Sequence, residues 1–201
     1  MRGPLALAMI AITALYYFGL FAGAATYPGY SHMTNYASEL GAAAAPYPWL
    51  FNISIVLAGA TAIIAALVLP IAFGAVGASR PWSILAAIAA ALWGASMVMG
   101  GLFPMPDERH GGFGLGLVAP LIPLLVLLAL RPVGNTGGIR TFLMIVFAAS
   151  VAMLAIMFGV GELVTSANVG LYQRLNSGVS IGWFAVFGFW FLLRNQSRPM
   201  R

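Results

Sequence analysis

The chain has no cysteine and no lysine, and only four of its 201 residues are acidic. Without cysteine there is no disulfide, no thiolate metal site and no thiol nucleophile. Without lysine there is no Schiff-base chemistry, which excludes a retinal pump of the usual kind. Charged residues make up 6% of the chain, against about 25% in a soluble domain. A chain that is 62% hydrophobic cannot cover its surface with polar groups in water, so lipid is the expected solvent for much of it. The net charge of +5 comes from arginines placed singly. No basic stripe forms, so nucleic acid is not an expected partner.

What is present is a set of long apolar runs. A membrane-crossing helix needs about 20 apolar residues, and six stretches qualify: Leu5–Thr26, Trp49–Phe73, Ser83–Phe103, Phe113–Leu130, Thr141–Val164 and Leu175–Leu193. The expected fold is all-α, a single six-helix transmembrane domain spanning residues 1–201. The first run has Arg2 before it and small residues at Ala22–Ala25. It is longer than the apolar core of a signal peptide and reads as a retained helix. Pro120 and Pro123 are expected to kink the fourth helix. Gly19 and Gly23, and Gly112 and Gly116, have the spacing that lets helices approach closely.

Charge sorts by side. Arg2, Arg80, Arg131, Arg140, Arg194, Arg198 and Arg201 fall at the termini and in the second and fourth connections. Short cytoplasmic loops are enriched in arginine, so both termini are expected in the cytoplasm. Glu39, Asp107, Glu108, Glu162, His32 and His110 all fall on the opposite side, with Arg109 and Arg174.

That side holds the candidate chemistry. The first connection mixes His32, Asn35, Ser38 and Glu39 with alanines and aromatics, and reads as a segment folded onto the bundle. Tyrosine, tryptophan and proline belong at a membrane interface in any case. Glu39, partly buried there, needs a partner, and Arg109 and Arg174 are the arginines on its side. Glu162 sits within an apolar run and pairs best with Arg174 across a short loop, whether as a structural staple or in a site. Asp107 and His110 are three residues apart in a proline-bounded loop and can converge as an acid–base pair. With Glu39 they form the candidate catalytic set. Ser38 is a candidate nucleophile, or the cap of a short helix. His32, Asn52, Arg109, Glu162, Gln173 and Arg174 are candidate ligand contacts, the two arginines holding an anionic group. His32, His110 and Asp107 are the candidate ligands of a zinc ion, although no helix carries two of them at metal-binding spacing.

Asn35-Tyr-Ala-Ser38-Glu39-Leu-Gly41, then Ala45-Pro46 and Trp49-Leu-Phe51-Asn52, resemble the signature of a bacterial six-helix membrane family of unknown function, domain of unknown function nine-nine-eight. Leu102-Phe103-Pro104 with Asp107 and His110, and Leu171-Tyr-Gln173-Arg174-Leu175, are similar to its later motifs. More remotely, Ser38, Glu39, Gly41, Pro46 and Phe51 resemble a pattern of the damage-regulated autophagy modulators. The resemblance implies six helices in a bacterial inner membrane with a polar exoplasmic face, and no assigned activity. Ceramidase-type lipid hydrolases use three histidines around zinc; two histidines here leave that set incomplete.

The function expected from these features is an outward-facing polar pocket for a lipid or amphiphile headgroup. As an enzyme it would be a lipid hydrolase or transferase. The rival expectations are a transporter or channel, and an accessory subunit packed against a membrane complex or a second copy.

Overall fold

In the computed structural model, which describes residues 1–196, six α-helices run back and forth along one axis. They are α1 (Arg2–Ala25), α2 (Pro48–Gly74), α3 (Arg80–Leu102), α4 (Leu121–Ala129), α5 (Gly137–Met157) and α6 (Val169–Gln196). Short 3-10 segments lie at Ala37–Gly41, Glu108–Val118 and Val160–Glu162. There is no strand among the described residues. All six spans are long and apolar enough to cross a membrane, the fourth counted as Glu108–Ala129. Arg198 and Arg201 lie outside the described residues.

Three helices meet where the sequence removes side chains. A Cβ on Gly59 of α2 would stand 2.5 Å from the Gly94 carbonyl oxygen of α3, and one on Gly94 would stand 2.7 Å from the Gly59 oxygen. Only glycine allows that approach, and close backbone packing is what holds helices together in lipid, where the hydrophobic effect between helices is absent. α1 uses the same device through Gly19, whose Cβ would meet Ser54 of α2 at 2.5 Å. α1 buries Leu5, Met9, Ile12, Tyr16, Leu20 and Gly23, one face at helical spacing. α5 is the most peripheral helix, with 22% of its span buried against 39% or more in the others.

Three spans depart from their expected bounds. The fifth helix ends at Met157 rather than Val164. Gly159 (φ 93°) and Gly161 (φ 79°) adopt the left-handed conformation, which stops a helix. The fourth span is not one kinked helix: its first half is a 3-10 segment broken by positive φ at Gly112, Phe113 and Gly114, and only Leu121–Ala129 after Pro120 is α-helical. The sixth helix starts at Val169, before the expected Leu175. It therefore carries Gln173 and Arg174 in its first turns.

The carboxylates and histidines lie at the end of the bundle formed by the C-termini of α1, α3 and α5 and the N-termini of α2 and α6. The opposite end is tied by arginine. Arg194 donates to Asn135 O (2.7 Å) and Gly134 O (2.6 Å), and Arg2 donates to Ala75 O.

Candidate functional site

The first connection is folded onto the bundle, but an arginine does not hold Glu39. Its Oε1 accepts from the Tyr36 backbone N–H (2.7 Å) and its Oε2 from the Asn35 side-chain amide (2.6 Å). Glu39 is the third residue of the turn Ala37–Gly41, so its side chain reaches back to the free N–H groups at the start. The turn is then docked from two helices. Asn52 of α2 donates to Gly41 O (2.9 Å), and Gln173 of α6 accepts from Ala37 N–H (2.6 Å). A Cβ on Gly41 would push the Asn52 side-chain amide out of this position.

Arg174 is the second clamp. Its Nη1 donates to Asn35 O (2.6 Å) and Gly170 O (3.0 Å), and its Nη2 donates to the Tyr30 hydroxyl. The expected Glu162–Arg174 pair does not form. Glu162 is exposed on the turn beyond Gly159 and Gly161, and the Asp107–Arg109 pair is the ion pair found among the described residues. The early end of α5 carries Glu162 out of the apolar span that made a buried partner necessary. Burial pushes the Tyr30 phenol up to about 12, against the opposing pull of Arg174. Tyr30 therefore stays protonated and donates to Tyr36 O (3.0 Å). Burial, then Arg174, pushes the His32 imidazole below its ordinary value. His32 packs edge-on against the rings of Phe21 and Tyr30.

In the third connection Asp107 and Arg109 engage each other. Arg109 Nη2 donates to Asp107 Oδ2 (2.7 Å), and its Nε and backbone N donate to Oδ1 (both 2.9 Å). These bonds hold the exposed Asp107 carboxyl down to about 2. His110 turns inward instead. Its Nδ1 lies 3.1 Å from Gly100 O and 3.0 Å from Phe103 O. Both partners are acceptors, so the proton is assigned to Nδ1 and the Nε2 lone pair stays available. His110 thus closes the C-terminal carbonyls of α3 while presenting an acceptor nitrogen.

These elements surround a cleft of about 240 Å³ between α3 and α6. Its polar lining is Tyr16, Ser38, His110, Gln173, Asn176, Ser177 and Ser180; Phe51, Ile55, Trp93 and Met97 line the apolar side. No charged side chain among the described residues lines it. Tyr16 and Ser177 share a hydrogen bond of 2.7 Å between hydroxyls. Ser177 donates to Gln173 O (2.9 Å) and Ser180 to Asn176 O (2.7 Å). The Ser38 hydroxyl rests on Met105 Sδ at 3.0 Å.

Of the residues singled out in the sequence, Ser38, His110 and Gln173 line the cleft. Asn52, Glu39, Arg174 and His32 build or pack beside its lid. Asp107 and Arg109 pair on the surface, and Glu162 stands apart. No three histidine or carboxylate side chains among the described residues are gathered for a metal ion. His32 packs against Phe21 and Tyr30 while His110 is held at Gly100 O and Phe103 O, in different surroundings. Tyr16, Asn176, Ser177 and Ser180 line the cleft without being among the sequence candidates. The available signal was helical period: Gln173, Asn176, Ser177 and Ser180 fall at i, i+3, i+4 and i+7, one polar stripe in an apolar helix.

The family model described as a protein of unknown function (DUF998) matches residues 10–190. The chain belongs to this family. The matched region runs from inside α1 to the last turns of α6 and contains every residue of the cleft. No curated protein matches the chain, and no solved structure does.

Proposed function

We propose that this membrane protein binds the uncharged polar head of an amphiphile in the α3–α6 cleft, with the apolar tail against the neighbouring helix surfaces. The observation that carries this reading is the cleft's lining: hydroxyls, amides and one imidazole facing an apolar wall, with no cation or anion among them. A few convergent polar groups in a mainly apolar concavity are the usual form of a small-molecule site. Arg109 and Arg174, the expected anchors of an anionic head, are engaged with Asp107 and with the first connection. A buried anion in the cleft would lack a counter-charge, which lipid-embedded sites avoid. The bias of arginine to the opposite end supports a cleft facing away from the cytoplasm.

The test uses the full chain in lipid nanodiscs, photolabelled with a diazirine-bearing monoacylglycerol. Saturable labelling displaced by monooleoylglycerol, and lost in Gln173→Leu and His110→Phe proteins that remain folded, is the expected result. Equal labelling of both variants and the wild type sinks the reading.

A second reading is hydrolysis or acyl transfer in the same cleft. It is favoured by the His110 imidazole, whose Nδ1 is tied to carbonyls while Nε2 is left as an acceptor. That nitrogen suits a general base, and Ser38 is the hydroxyl in the same cleft without a strong acceptor. Covalent capture of Ser38 by a lipid fluorophosphonate, dependent on His110, would support it. A channel is disfavoured because the polar lining stops at Ser180, and Ile181 and stacked aromatic rings follow.

A further inference from the structure

Beside the cleft lies a narrower, partly enclosed cavity of about 100 Å³, lined by Trp93, Gly116, Pro120, Ser150, Asn176 and Ser180 among others. It shares Trp93, Asn176 and Ser180 with the cleft, so the two spaces meet at those side chains. Ser150, on α5, is 2% exposed, and its hydroxyl has no hydrogen-bond partner. A serine inside a helix ordinarily returns its proton to the carbonyl four residues earlier. Ser177 and Ser180 do this; Ser150 does not. The Asn176 side-chain amide also makes no hydrogen bond to another described residue, although its backbone oxygen accepts from Ser180. Two polar side chains, on α5 and α6, thus line one space: the fully buried Ser150 hydroxyl, and the half-buried Asn176 amide with its donor and acceptor. A buried hydroxyl such as that of Ser150 is normally satisfied, and an exception calls for an occupant.

We propose that Ser150 and Asn176 form an inner subsite for a hydroxyl group of an uncharged ligand, the deepest polar contact of the head held in the cleft. This rests on the reading that the cleft binds an amphiphile. A hydroxyl matches the donors and the acceptor together: it accepts from Ser150 or the Asn176 amide and donates to Asn176 Oδ1. A carboxylate, phosphate or ammonium would be buried there with no opposite charge in the lining. The volume admits a group the size of roughly three water molecules, taking ~30 Å³ each. That suits the end of a glyceryl or sugar head.

The experiment measures monooleoylglycerol competition against the diazirine monoacylglycerol in nanodiscs, for wild type, Ser150→Ala and Asn176→Leu, with thermal unfolding of each without added lipid. Ser150→Ala removes an unsatisfied donor, so it is expected to melt at or above the wild-type temperature and still weaken competition about three- to tenfold. Asn176→Leu keeps the volume and is expected to weaken it at least as much. Monooleoylglycerol should compete better than a methyl ester lacking hydroxyls, and that difference should shrink in Ser150→Ala. Unchanged competition in both variants means the cavity holds only solvent and overturns the subsite while leaving the cleft reading standing. A Ser150→Ala protein that melts lower would show that the hydroxyl serves packing, which also overturns it. No saturable labelling of wild type overturns both readings. Displacement by free glycerol at the same concentration would shift the source from lipid to free polyol and keep the subsite.

Discussion

α6 passes through two regions that share a helix and little else. From Gln173 to Ser180, about 10 Å at 1.5 Å per residue, it turns a stripe of amide and hydroxyl groups toward the cleft. From Trp183 to Phe191 it turns stacked rings inward. Trp183 lies 4.1 Å from Phe184 between ring centroids, Phe184 stacks on Trp93 at 5.1 Å, and Phe187 and Phe191 are fully buried against Phe73. The difference shows how one membrane helix can hold a site and a foundation at once. Polar groups near the bundle end are satisfied by short bonds or left for a ligand. The aromatic layer below makes a dry floor whose packing needs no polar partner. A cup closed at mid-depth suits binding better than conduction.

The sharpest way to break this comparison is at the floor. Phe187→Ala should cost about 3–5 kcal/mol, the usual range for a buried phenylalanine, read as a lower unfolding temperature in detergent. If floor and cleft are separable, monoacylglycerol labelling at low temperature persists. Loss of labelling in a still-folded protein would join the two regions into one unit.

A smaller effect is expected at the lid. Arg174→Ala leaves Asn35 O, Gly170 O and the Tyr30 hydroxyl without their charged donor. The cost is about 2–3 kcal/mol, concentrated in the first connection, so residues 27–47 should become open to limited proteolysis while the floor stays protected. Arg174→Lys should restore little, because one ammonium nitrogen cannot stand where both Nη1 and Nη2 do, with the planar fork that reaches these oxygens. Equal protection in all three proteins would mean the lid is held elsewhere.

The smallest effects concern pH and also belong to the lid end. The folded His32 has a lowered pKa, so the folded protein binds fewer protons than the unfolded one. Stability should therefore decline as pH falls below about 6.5, the ordinary histidine value. His32→Phe should flatten that decline. Asp107, held at about 2 against an ordinary 3.8, contributes in full above that ordinary value, and its share fades as pH falls toward 2. Asp107→Asn should be close to silent at neutral pH, because an exposed ion pair is largely solvated. A large neutral-pH loss in Asp107→Asn would give the third connection a weight that its exposure denies.

Much of this architecture could be read in the chain, and the misreadings have physical causes. Runs such as Trp49–Phe73 identify themselves because transfer into lipid is nearly additive along a helix. The end of α5 was misplaced because Phe158–Val164 is apolar enough to continue; left-handed glycines stop it, and hydropathy does not weigh φ. The partners of Glu39 and Arg174 were misassigned by reasoning from charge alone. Backbone carbonyls, N–H groups and an asparagine engage them at 2.6–2.7 Å, while the buried Arg174 Nε has no hydrogen-bond partner among the described residues. Ser38, His110 and Gln173 were singled out for their chemical type, and all three line the cleft. Tyr16 and Ser177 look in sequence like ordinary interface and helix residues.

The sequence by itself determined six apolar spans, the parting of arginines from carboxylates, and the exclusion of thiol and Schiff-base chemistry. Each follows from composition and order along one dimension. Only the tertiary structure decided which polar groups are already satisfied and which face open space. Ser150, Ser177 and Ser180 are the same residue in similar helices. Two return their protons to their own backbone, and the third keeps its hydroxyl free in a buried cavity. That difference is set by neighbours in space, which no local pattern encodes.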